Sequence, residues 1–141
     1  MAAVTEIRPP DDAMARLRTQ LAACVRLLHQ ERLIAFNGHV SARLAGDDAF
    51  LIHSLVESRA EVSPQTLLVL DFAGRVVNGP RGLKPPSELY IHSEIYRARS
   101  DVMAIAHTHS EHAIAFTLAK GVQLRPMRCD AVRWASGIPT H

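Results

Sequence analysis

The stretch AIAHTHSEHAIAF, Ala104 to Phe116, places three histidines within six positions. On a β-strand, residues two apart point to the same side, so His107 and His109 would aim both imidazoles at one point while Thr108 faces away. Neutral imidazole suits zinc and, to a lesser degree, iron, nickel and manganese. A pattern as short as HxH is also met by accident, and two histidines hydrogen-bonded in a core or at a subunit contact satisfy the same spacing. Ser110 then opens a helix whose free N–H groups favour an anion at that corner. His112, on the same helix, is carried sideways and reads as a supporting residue.

Two further pieces carry polar groups in a suggestive order. Glu88 lies in KPPSELYIH, at the first turn of a helix, where the helix dipole stabilises a carboxylate. Without a partner it reads equally as an ordinary capping-region glutamate. His92 shares its helix face at i+4 and reads as packing at the helix–sheet boundary. In NGHVSARL, Gly38 permits a tight turn. Ser41 and Arg43 fall on one side of a strand, where they would hold a phosphate or carboxylate or simply form a polar face in water.

The elements that must position these residues follow from periodicity. Met14, Leu17, Leu21, Cys24/Val25 and Leu28 recur at helical spacing, so roughly 12–33 is an amphipathic helix, capped by Asp11 or Asp12 after a loose lead-in ending at Pro9-Pro10. HVSARLA and AFLIHS flank the turn signal GDD and read as a hairpin. LLVLDF is a buried-type strand, AGR turns, and VVN pairs back. Ser87 caps a helix of about 87–99 with Ile91, Ile95 and Ala98 on one face. VMAIAHTH is a strand, SEHAIAFTLAKG a helix closed by Gly121, and VQLRPMRC a further strand. The order predicts an α/β layered domain, a sheet with helices on both faces.

Composition narrows the class. The chain has 141 residues, 48% apolar and 21% charged, enough for one domain with its own core. A net charge of +2, with no basic run, argues against nucleic acid or an anionic membrane as partner. Cys24 and Cys129 form no CxxC pair. Cys24 falls on the apolar helix face as a buried thiol, and a reducing cytoplasm fits. No secretory h-region and no membrane-length apolar run is present in the sequence.

Together, GHVSAR (38–43), PPSE (85–88) and IHSEIYRARSDVMAIAHTH (91–109) resemble the class II aldolase/adducin family, the fuculose- and ribulose-phosphate group. The resemblance covers nearly the whole chain and rests on order, spacing and element type at once. It implies an αβα three-layer sandwich around a central, mostly antiparallel sheet. It also implies a homotetramer with active sites between neighbouring subunits, and a divalent metal, usually zinc, with Mn2+, Fe2+ or Co2+ as alternatives. Carried over residue by residue, His107 and His109 are metal ligands and Glu88 is the acid/base. Gly38, Ser41, Ser54 and Ser87, with Arg43, hold a small anionic substrate through its phosphate or carboxylate. His39 stands where the sugar-phosphate aldolases carry Asn. GHVS is more like the decarboxylase-type members, in which a histidine there would act in the acid/base step or bind a carboxylate. The family's third histidine lies downstream. Residues 1–141 are therefore expected to be a C-terminally truncated domain in which His141 is not the matching ligand and Glu88, His112 or His92 would have to complete the site.

The resulting expectation is a metal-dependent carbon–carbon lyase, a decarboxylase or aldolase, that stabilises an enolate. A sugar-phosphate epimerase would use the same residues. A non-catalytic, adducin-like interaction module has no chemical need for His107, His109 and Glu88.

Overall fold

The structure, a computed structural model, describes residues 11–122, 125, 129–134, 136 and 137. The lead-in at Pro9-Pro10, most of the expected strand in VQLRPMRC, and His141 lie outside the described residues. The chain forms two compact units, one up to His109 and one from Ser110 onward.

The first unit begins with helix α1, Asp11–Gln30. Strands β1 (His39–Arg43), β2 (Ala49–Ile52), β3 (Leu68–Asp71) and β4 (Val76–Asn78) follow, then helix α2 (Leu89–Ala98) and strand β5 (Ala104–His107). The sheet order is β4-β3-β2-β1-β5 and every pairing is antiparallel. Both expected hairpins form. Gly46 and Gly74 supply the left-handed backbone, φ +85° in each, that their turns require.

Period-2 alternation sorts the strand side chains into two layers. Val40, Ala42, Leu44, Leu51 and Val69 join Leu21, Ala22 and Val25 of α1 in one core. Phe50, Ile52, Leu68 and Leu70 point the other way and pack with Leu89 and Tyr96 of α2. The sheet is thus covered on both faces, as the layered reading requires. On β1, the residues between the apolar ones, His39, Ser41 and Arg43, face the α2 side, and the site is built there.

Three expectations about single residues fail. Cys24 is exposed, not buried. The buried stripe of α1 runs through Leu21, Ala22 and Val25, and Cys24 lies roughly 60°, 160° and 100° around the helix from them, at the edge of the stripe. Ser87 does not cap α2. Glu88 occupies the N-cap position and makes no side-chain bond to its own helix. The buried face of α2 is Leu89, His92, Ser93 and Tyr96, while Ile91 and Ile95 are each 37% exposed and Ala98 is exposed. The apolar periodicity pointed to the wrong side because the sheet surface beneath α2 combines apolar residues of β2 and β3 with a polar row on β1 that draws His92 and Tyr96 inward.

The second unit contains helix α3, Glu111–Leu118, with Ser110 at its N-cap, and a 3-10 helix over Cys129–Trp134. None of the residues of α3 is buried. Gly121 has the left-handed φ of +77° expected near a helix end, though the C-cap itself is Ala119.

Candidate active site

The antiparallel pairing of β1 with β5 sets His39 directly opposite His107. Their rings stack with centroids 4.7 Å apart and planes 16° from parallel. His109, two residues on, returns to the same side: its Nε2 lies 2.9 Å from Nε2 of His107. Glu88, at the N-cap of α2, directs its carboxylate into the group. Its Oε2 is 3.2 Å from Nε2 of His39 and 3.8 Å from Nε2 of His107. Ligand atoms of His39, Glu88 and His107 all lie within 4.8 Å of one another.

Behind this cluster runs a buried chain of hydrogen-bonding groups. His39 Nδ1 is 2.6 Å from His92 Nε2, His92 Nδ1 is 2.6 Å from Ser41 Oγ, and Ser41 Oγ is 2.7 Å from the Tyr96 hydroxyl. His39, Ser41, His92 and Tyr96 are all buried. Burial is the main force on the titrating groups. It lowers the pKa of His39 against the pull of Glu88, pushes His92 down to about 3, and raises Tyr96. Glu88 is half-exposed, and the N–H of His39, with the neighbouring imidazoles, holds its carboxyl below the usual range.

Imidazole nitrogens that face each other at 2.9 Å, with a carboxylate oxygen 3.8 Å from one of them, are of the donor types that zinc and related divalent ions use. The residues present therefore fit a metal: His39, Glu88 and His107 form the compact group of possible ligands, and His109 adjoins it through His107.

Comparison with known proteins identifies the family. Residues 19–141 match the Class II Aldolase and Adducin N-terminal domain. The chain belongs to the class II aldolase and adducin family. It is 31% identical over 102 residues to an L-fuculose phosphate aldolase of Methanococcus vannielii, covering 72% of this chain and 53% of the relative. It is 32% identical over 143 residues to a methylthioribulose-1-phosphate dehydratase of Granulibacter bethesdensis, covering 98% and 64%. Among solved structures, an aldolase II superfamily protein from Pseudomonas syringae superposes with a TM-score of 0.74 at 32% identity, covering 87% of this chain and 49% of that one. An L-fuculose 1-phosphate aldolase from Glaciozyma antarctica gives 0.73 at 25% identity, covering 84% and 52%. The chain spans about half to two-thirds of the length of these relatives. The homologues are aldolases and dehydratases, enzymes of the lyase kind.

Within this family fold, the residues singled out in the sequence divide into two groups. His39, Glu88, His107 and His109 come together. The others are placed differently. Ser41 is fully buried with its hydroxyl engaged by His92 and Tyr96, so it does not present the anion-holding face read from the alternation of the strand. Arg43 donates to the carbonyls of Tyr96, Arg99 (3.0 Å) and Val102 (2.9 Å). It closes the C-terminal end of α2, where a cation suits the helix dipole. Ser87 is exposed in the turn before Glu88. Gly38 is needed for a reason other than a left-handed turn: a Cβ there would lie 2.5 Å from Cβ of Ile34 and 2.9 Å from its Cα. Ser54 is buried, and its hydroxyl, like Nε2 of His53, has no partner among the described residues. His112 is exposed on α3.

Two supporting residues escaped the sequence reading, Tyr96, whose hydroxyl meets Ser41, and Arg59. Arg59 is only 3% exposed. Its guanidinium donates to the carbonyls of Gly38 (3.0 Å), Phe36 (2.6 Å), Glu57 (2.6 Å) and Ser54 (3.3 Å), so it ties the turn before His39 to the loop after β2. Its segment, ESRAE, carries no apolar periodicity that would mark a buried position.

Proposed function

We propose that this chain carries the metal-binding and proton-transfer residues of a divalent-metal lyase acting on a small anionic hydroxy-carbonyl compound. The observation that carries this reading is the approach of His107 Nε2 to both His109 Nε2 and the Glu88 carboxylate. Zinc is the first choice, and Mn2+, Fe2+ or Co2+ would meet the same donors. Bound there, the ion would supply Lewis-acid polarisation of a substrate oxygen.

The residues of the chain supply the proton chemistry. Glu88 is held ionised by its neighbours, within reach of a substrate seated against His107. In aldol cleavage its carboxylate takes the hydroxyl proton as the carbon–carbon bond breaks and an aldehyde leaves, then returns that proton to carbon. In dehydration it takes the proton next to the carbonyl and returns it to the departing hydroxyl as water. The two reactions use one group in one place, consistent with aldolases and dehydratases both occurring among the relatives. His39 donates to Glu88 and keeps it oriented. The buried, unpartnered hydroxyl of Ser54 supports an anion site after β2, with Gly38 and Ser87 beside it by family resemblance. A ketose 1-phosphate is the first substrate class to try, given the names of the relatives. His39 in place of the Asn of sugar-phosphate aldolases favours hydroxy-aromatic acids as the second, with CO2 as leaving group and the Glu88 carboxylate taking the ring hydroxyl proton and returning it to the carbon that CO2 leaves. A cytoplasmic homotetramer with shared sites completes the reading.

The test is metal content, then turnover. The purified chain is expected to hold about one Zn2+, lost in the His107→Ala/His109→Ala variant. Glu88→Gln is expected to keep the ion and lose turnover by about 10²- to 10⁴-fold. Retained turnover with retained metal removes Glu88 from the proton-transfer role. No bound metal in the unaltered chain removes the lyase reading for these residues.

A further inference from the structure

The four atoms nearest one another in the cluster leave two ways to hold a metal. His39, whose ligand atom lies with those of Glu88 and His107 within 4.8 Å, is a geometric candidate for the ion. The buried chain behind it decides against that use. We infer that Tyr96, Ser41 and His92 impose one tautomer on His39, with its proton on Nε2, so that His39 is an N–H donor at the edge of the metal centre and not a ligand. The inference rests on the metal-centre reading above and assigns a role within it.

Hydrogen counting gives the direction. The Tyr96 hydroxyl and the Ser41 hydroxyl are both buried, and each has one hydrogen to place. Among the described residues the Tyr96 hydroxyl has one partner, Ser41 Oγ, and Ser41 Oγ has two, Tyr96 and His92 Nδ1. If His92 Nδ1 carried a proton, Ser41 would have to accept it. Ser41 could then donate only to Tyr96, leaving the Tyr96 hydrogen without an acceptor, or accept from Tyr96 as well, leaving its own without one. Buried hydroxyl hydrogens are rarely left so. All of them are satisfied in one arrangement only: Tyr96 donates to Ser41, and Ser41 donates to His92 Nδ1. His92 then carries its proton on Nε2 and donates across 2.6 Å to His39 Nδ1. His39 Nδ1 is thereby an acceptor, and its proton sits on Nε2, facing Glu88 Oε2 at 3.2 Å.

The consequence is a division of labour that sequence spacing does not show. A histidine that ligates a metal through one nitrogen donates from the other. His39 has the reverse arrangement: its inner nitrogen accepts and its outer nitrogen donates. It can hold the Glu88 carboxylate or a substrate oxygen, and it offers no lone pair to a cation. His92, Ser41 and Tyr96 are positioning residues that act through it. The same donor role is open to the amide nitrogen of an asparagine, so His39→Asn keeps the function the inference assigns while removing any imidazole ligand.

The tautomers are read directly by long-range ¹H–¹⁵N correlation on the metal-free, ¹⁵N-histidine-labelled chain, with His39→Asn and His92→Gln assigning the two rings. Both are expected as Nε2–H, with His92 shifting toward the Nδ1–H form in Ser41→Ala and returning in Ser41→Thr. The second measurement is Zn2+ titration by calorimetry. His39→Asn is expected to bind Zn2+ within about tenfold of the unaltered chain, and His107→Asn at least about 100-fold more weakly, the loss typical of a removed support or ligand. Nδ1–H on His39, or a loss of Zn2+ in His39→Asn equal to that in His107→Asn, overturns the inference. The tautomer reading needs no variant that must fold beyond those used for assignment. It is also independent of metal: an unaltered chain that binds no Zn2+ yet shows Nε2–H on both rings defeats the lyase reading and upholds the tautomer assignment.

Discussion

At the scale of single residues, two histidines matter through their burial and not through catalysis. His53 is held down to about 4 and His92 to about 3, in both cases chiefly by burial. Unfolded, both titrate near about 6.5. The unfolded chain therefore binds more protons than the folded one between roughly pH 6.5 and pH 4. Their contribution to stability is complete above that window and is lost as the pH falls through it, each histidine steepening the loss by about 1.4 kcal/mol per pH unit. Urea midpoints measured from neutral pH downward are expected to show this slope, and His53→Gln to flatten it. An equal slope in the variant would show that His53 is already protonated in the fold. The convergence of His107 and His109 was legible in the sequence from the i, i+2 spacing, which keeps both imidazoles together although β5 ends at His107. The work of Arg59 was not. Its partners are backbone carbonyls at Phe36, Gly38, Ser54 and Glu57, and no residue type in ESRAE announces which carbonyls the fold will bury nearby.

At the scale of elements, strands were easier to read than helix faces. The hairpins of β1–β2 and β3–β4 are local, and turn residues mark them. The buried side of α2 depends on what lies beneath it, and that includes a polar row, His39, Ser41 and Arg43, belonging to a strand distant in sequence. A helix laid on such a row turns His92, Ser93 and Tyr96 inward, where hydrogen bonds satisfy them, and leaves Ile91 and Ile95 outside. Apolar periodicity selects the wrong stripe in that case. The connection from α1 into β1 is also tight. Gly38→Ala would drive a Cβ into Ile34, against backbone as well as side chain, and is expected to cost about 1–3 kcal/mol, the usual range for overpacking. Thermal unfolding of the variant measures it. A stability equal to that of the unaltered chain would mean that Ile34 can move away freely. Because His39 follows directly, Zn2+ affinity in the same variant is expected to change little if His39 is a donor beside the ion.

At the scale of the molecule, both layers of the first unit are needed for the site. α1 and the apolar rows behind the sheet make β1 and β2 rigid, and α2 and β5 supply the groups in front. The helix–sheet–helix arrangement was readable because each element has the right period and order. The assignment of supports within the α2 layer was not, because it depends on cross-layer hydrogen bonds. A metal held by His107 and His109 would bind the folded chain and not an unfolded one lacking the assembled pair. Free Zn2+ at about 100 times its dissociation constant is then expected to raise unfolding stability by about 2.7 kcal/mol. The increment should vanish in His107→Asn. An increment of the same size in that variant would place the bound ion elsewhere on the chain.

The pairing of His39 with His107 has a further consequence for how the protein matures. β1 and β5 are neighbours in the sheet but far apart in the chain, with four elements between them. Contacts of that kind form late, after the local hairpins. A slip of one residue would place Ala106 or Thr108 opposite His39 and turn the imidazole of His107 toward the α1 side of the sheet. Only a chain with β5 docked in register presents both imidazoles beside Glu88. Ion uptake would then proofread assembly: chains that load have passed an alignment check to within a single residue.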